Sequence, residues 1–180
     1  MFFSNLKWRT GCFLLLFATG VSAFSYTVSI SEQALQDYLS AIKPMEKRSH
    51  LYRIQLSHPQ VDLIEGSDRV HFSIKVSLSI LGAIQSQGFV KVSGKIEYNP
   101  ETSQFFLIQP KVEAIEIAHM PIATVEKIQS VIQKVVGTAF AKVKVYQLQD
   151  RDVKQKMLKA VLQSVAISQN AQLLITLKAF

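Results

Sequence analysis

Cysteine is almost absent from this chain: Cys12 is the only one among 180 residues. That excludes a disulfide framework and any cysteine-rich zinc site. Acidic side chains are also scarce, 13 against 20 Lys and Arg, which leaves a formal net charge of +7. Charged residues make up only 18% of the chain and hydrophobic ones 48%, a balance that excludes a disordered tail protein. No apolar run approaches the ~20 residues that a membrane-spanning helix needs. G-x-S-x-G, H-E-x-x-H, P-loop and G-x-G-x-x-G patterns are all missing. With no activated nucleophile and no convergent polar cluster, the chain reads as non-enzymatic and needs no cofactor.

Histidine is present but unpaired. His50, His58, His71 and His119 share no element with another His, Asp or Glu at ligand spacing, so no metal site is expected. Asp62, Glu65 and Asp68 fall in one link, with too few oxygens too widely spaced for a calcium loop, and read as a solvated turn.

What is present begins with an address. Lys7 and Arg9 precede the apolar run 12–18, and Val21-Ser22-Ala23 offers the small residues of a signal-peptidase site. Residues 1–23 are therefore expected to be a secretory signal cleaved after Ala23; the alternative is a retained anchor. Cys12 opens the apolar run rather than following it, so the chain is not expected to be a lipoprotein. Cleavage leaves 157 residues, 24–180, without cysteine and with a charge of +5. Export without cysteine suits the periplasm, and this length buries a core without staples.

The remainder reads as a single α+β domain, 24–180. A short strand at 26–28 leads to a helix N-capped by Ser31 and ended by Pro44. Met45 to His50 reads as a polar link. Tyr52, Ile54 and Leu56 alternate with polar residues, Pro59 interrupts, and Val61 and Leu63 resume the strand. Residues 69–80 alternate strictly, with Val70, Phe72, Ile74, Val76, Leu78 and Ile80 on one face. Two 15-residue strands follow at 84–98 and 104–118; the second changes phase, so a bulge is expected near Glu113–Ile115. A long helix from Pro121 to Lys142 carries apolar residues over half its circumference and should be clasped on more than one side. A short strand at 143–148, a third helix from Asp150 or Asp152 through Leu162, and a closing hairpin around Asn170 complete the pattern. The expected fold is a long, curved antiparallel β-meander wrapping one long α-helix, with two shorter helices.

The basic charge is scattered, densest at Lys142, Lys144, Lys154, Lys156 and Lys159. A solvated surface accounts for it, and so does peripheral contact with an anionic membrane surface, worth ~1 kcal/mol per residue. An exported chain without aromatic–basic interleaving is not a nucleic-acid binder. The pattern leaves the oligomeric state open.

Four stretches carry a family resemblance: Tyr26-Thr27-Val28-Ser29 leading into Ser31-Glu32-Gln33, the strand at 69–80, Val112 through Met120, and Val165-Ala166-Ile167 with Leu173-Leu174-Ile175. The chain resembles the DUF1439 (YceB-like) family of Gram-negative envelope proteins over nearly all of 25–178. That family is similar in architecture to the tubular lipid-binding proteins, in which a curved sheet wraps a helix. The resemblance implies a lipid or other apolar ligand. Candidate liners between the helix and the inner sheet face are Phe72, Ile74, Val76, Val90, Val92, Ile128, Ile132 and Val135; taken singly, each reads first as ordinary core. The competing reading is a structural or protein-interaction module of the envelope with a closed, dry core.

Overall fold

A computed structural model describes residues 24–80, 84–118, 122–148 and 160–179. The expected signal lies outside them, as do residues 150–159 of the expected third helix. Two antiparallel sheets enclose one core. Strands β1 (Phe24–Ser31), β8 (Val161–Ile167) and β9 (Gln172–Ala179) form a three-stranded sheet in the order β1-β9-β8. Strands β2 (Met45–Arg48), β3 (Tyr52–Asp62), β4 (Val70–Ile80), β5 (Ile84–Asn99), β6 (Gln104–Ile117) and β7 (Lys142–Gln147) form a six-stranded meander in sequence order.

The expected α+β fold, a meander wrapping one long helix, is overturned. The described residues are mostly strand, and the two helices are short: α1 (Glu32–Ser40, 9 residues) and α2 (Ile122–Ala139, 18 residues). Strand gains ground at three places. Residues 45–48, read as a polar link, pair with β3; backbone pairing needs no apolar alternation on an edge strand, where charged side chains are favoured. Helix α2 stops at Ala139, and Lys142 already pairs with Ile108. Val161 and Leu162, placed in a third helix by their spacing, pair with Lys178 and Leu177. The closing hairpin is present, turning at residues 168–171.

Bulges curl the six-stranded sheet. Lys91 pairs with Ala114 and Val92 with Val112, so Glu113 is the extra residue that the phase change demanded. A second bulge in β6 sets Gln109 and Pro110 opposite Gly94, and one in β3 sets His58 and Pro59 opposite Ile74. Each bulge switches which residues face inward. Leu56 points in before the β3 bulge and Leu63 after it, although their parities differ.

The two helices lie across the open side of the curl. Ser31 caps α1 by accepting from the Ala34 N–H at 3.2 Å, and Leu35 and Leu39 face the core. Helix α1 touches both β3 and β7, bridging the mouth of the sheet, and Tyr38 packs edge-on against Tyr146 of β7. Helix α2 packs on β6. The helix expected to be clasped on more than one side buries Ile132 and Val136 fully and leaves Ile128, Val131 and Val135 half-buried. Between α2 and β4 the core is plugged by Phe72 and Phe140, whose ring centres are 5.1 Å apart. Each such buried side chain contributes ~1.5–3 kcal/mol.

Candidate functional site

The seam between α2 and the β2–β3 ribbon is not closed. It forms an open groove of about 660 Å³ lined by Met45, Glu46, Lys47 and Tyr52 on one wall and Ser130, Val131, Lys134, Val135, Thr138 and Ala139 on the other. That volume lies in the range of small-molecule sites, roughly 300–1,000 Å³.

The helical wall follows from the spacing of residues in α2. Val131, Val135 and Ala139 repeat every four residues and form one ridge; Ser130, Lys134 and Thr138 form a second ridge beside it. At 1.5 Å per residue the pair of ridges runs about 12 Å. Thr138 Oγ1 donates to the Lys134 carbonyl at 2.9 Å. The sheet wall comes from an edge strand. Met45 lies opposite Leu56, and Lys47 opposite Ile54, so all four share the inward face. Leu56 and Ile54 are fully buried, whereas Met45 is half-buried and Lys47 exposed, because α2 does not reach β2.

Glu46 organises the outer rim. Its carboxylate accepts from Arg48, with Nη2 at 3.0 Å, and lies 2.9 Å from Arg53 Nε. The hydrogen bond from Arg48 is the main cause that holds the Glu46 carboxyl below its ordinary value of 4.5, with the charges of Arg48 and Arg53 adding to it. Glu46 is therefore ionised and already paired.

The eight candidate liners divide between core and groove. Phe72, Ile74, Val76, Val90, Val92 and Ile132 are fully buried in the shared core. Ile74 also borders a void of only about 10 Å³, beside Leu56 and Phe140, about the size of one water. Ile128 is half-buried against the core, and Val135 lines the groove. The remaining groove residues were not singled out from the sequence as liners. The available signal was the apolar arc of α2, wider than one packed face can cover.

A second polar cluster ties the outer face of the sheet. Arg69 donates to Ser93 Oγ at 2.8 Å, to the Ser93 carbonyl at 3.2 Å and to the Gln109 carbonyl at 3.0 Å. Ser93 Oγ donates to Glu113 at 2.7 Å, and this bond, followed by that from Lys111, holds the Glu113 carboxyl below its usual range. The cluster joins both β6 bulges to β5 and to the start of β4. Among the described residues no group of three or more His, Cys, Asp or Glu could hold a metal ion. No helix among them is long and apolar enough to cross a membrane.

Known proteins bear on the chain at three levels. A search of curated proteins finds no match. Among solved structures the chain is similar to P47 of Clostridium botulinum E1, with a TM-score of 0.42 and 11% identity; the match covers 85% of this chain but 37% of that one. The family profile described as protein of unknown function (DUF1439) matches residues 30–171, and the chain belongs to that family.

Proposed function

We propose that this DUF1439 protein is a non-enzymatic, periplasmic binding protein that takes a lipid or other apolar ligand into the groove between α2 and β2–β3. The observation that carries this reading is the groove itself: about 660 Å³ with Met45, Tyr52, Val131, Val135 and Ala139 presenting apolar surface. An apolar chain laid there gains about 25 cal/mol for each Å² removed from water. Export by residues 1–23 would place the groove in a compartment bounded by two membranes, where such ligands are abundant.

Native mass spectrometry of gently purified protein, with uptake of a fluorescent fatty acid as a second readout, tests the reading. Co-purifying lipid that exchanges with the probe supports it. Absence of both overturns it and favours the second reading, an interaction module of the envelope with a closed, dry core. The Phe72–Phe140 packing inside the curled sheet supports that alternative.

A further inference from the structure

We infer that the groove selects an amphiphile with one apolar chain and an anionic headgroup, and that Lys47 and Lys134 hold the head. This deepens the ligand-binding reading and rests on it. Lys47 and Lys134 stand on opposite walls of the groove, each beside apolar neighbours: Met45 shares the inward face with Lys47, and the ridge of Val131 and Val135 adjoins Lys134. Among the described residues that line the groove the one acid is Glu46, and its carboxylate is taken up by Arg48 and Arg53. Two cations, Lys47 and Lys134, thus line the groove, and its carboxylate is already paired with two arginines, so the local field favours an anion. The two ridges of α2 match the two halves of an amphiphile. The apolar ridge takes the chain, and Lys134 with the Ser130 and Thr138 hydroxyl side chains lies along the polar one.

An inward-pointing lysine on an edge strand also blunts edge-to-edge association, which would account for Lys47 alone. It does not account for Lys134, which is on a helix and faces the same space. The two roles separate in solution. An edge guard changes aggregation when removed, whereas a headgroup ligand changes the preference between ligands of equal chain length.

The test is calorimetric titration of the full protein with four ligands of one chain length, each below its micellar concentration: dodecanoate, dodecyl phosphate, monododecanoylglycerol and dodecyltrimethylammonium. The anionic pair should bind about tenfold more tightly than the neutral ligand at low salt, a margin that shrinks as salt screens the contact. Lys47→Gln and Lys134→Gln should each weaken the anionic ligands about two- to fivefold and leave the neutral one unchanged. Lys75→Gln, on the opposite face of β4 from Ile74, should change neither. Whether dodecanoate or dodecyl phosphate binds better tells a fatty-acid head from a phosphate head, and either order supports the inference. Equal binding of anionic and neutral ligands, or an anionic margin that survives the double Lys47→Gln, Lys134→Gln variant, overturns it while the apolar-ligand reading stands. Failure of all four to bind removes that reading itself.

Discussion

Gln36 of α1 and Gln133 of α2 make the same clamp on two different strands. Gln36 Nε2 donates to the Pro59 carbonyl at 2.9 Å while its Oε1 accepts from the Val61 N–H at 2.8 Å. Gln133 Nε2 donates to the Pro110 carbonyl at 3.3 Å while its Oε1 accepts from the Val112 N–H at 2.9 Å. The clamped segments are His58-Pro59-Gln60-Val61 and Gln109-Pro110-Lys111-Val112, and the residue before each proline has a positive φ, 50° and 48°. Each proline marks a bulge, where the strand loses ladder partners, and one amide side chain replaces a donor and an acceptor at once.

Replacing either glutamine by leucine strands a half-buried N–H and C=O, at a cost of about 1–3 kcal/mol for each group that water does not reach. Gln133→Leu should loosen α2 and raise hydrogen exchange at Val112, leaving Val61 protected. Gln36→Leu should do the reverse. Exchange that rises equally at both sites in either variant would mean that the clamps are not independent.

How much of this was legible depends on the range of the signal. Alternation at 70–80 and the phase change around Glu113 are local patterns, and both strand and bulge are where they indicated. The bulge at Gln109–Pro110 leaves a similar trace, since Leu107 and Val112 differ in parity, but the proline masks it. Strand β2, with the sequence Met-Glu-Lys-Arg, has no periodicity; only its pairing to β3 makes it a strand. Val161 and Leu162 fit either period, and the sheet made with β9 decides between them. The groove joins residues 45–52 to 130–139, so no local window contains it.

Ile132 and Val135 lie less than one turn apart on α2 yet face different surroundings. Ile132 is fully buried and Val135 lines the groove. Ile132→Trp should overpack the core and cost about 1–3 kcal/mol or more, lowering the melting temperature. Val135→Trp should fill the groove, keep the melting temperature within a few degrees and abolish uptake of a fluorescent fatty acid. Unfolding by Val135→Trp would place that side chain in the core, and unimpaired uptake would move the ligand elsewhere.

The Glu46 clip has a pH dependence of definite sign. Its carboxyl titrates below the ordinary value of 4.5 when folded, so the stability it lends is present above that value and is lost as pH falls through the depressed one. Arg48 lies directly opposite Arg53 in the β2–β3 register, and protonated Glu46 no longer offsets their repulsion. Exchange of β2 amides should rise selectively as the pH drops below 4.5. Glu46→Gln should show the same loosening at neutral pH and lose its response to acid. An unchanged acid profile in Glu46→Gln would assign the transition to another carboxylate.

Gly88 and Gly137 should answer the same substitution with opposite signs. A Cβ on Gly88 would overlap the Glu116 carbonyl oxygen and lie 2.7 Å from the Ile117 Cα, both backbone atoms of the paired strand. Backbone cannot rotate away as a side chain can, so Gly88→Ala must part β5 from β6 near Ile117, at a cost of about 1–3 kcal/mol. Gly137 is inside α2, and a Cβ there meets nothing within 4 Å. Gly137→Ala removes the entropic penalty of glycine in a helix and should stabilise the fold by about 0.5–1 kcal/mol. For a domain of this size, each kcal/mol moves the melting temperature about 2–4 °C, so thermal unfolding of the two variants against the parent separates them cleanly. A destabilised Gly137→Ala would show that α2 is held by contacts that an added methyl group disturbs. A neutral Gly88→Ala would show that the β5–β6 pairing yields at that end.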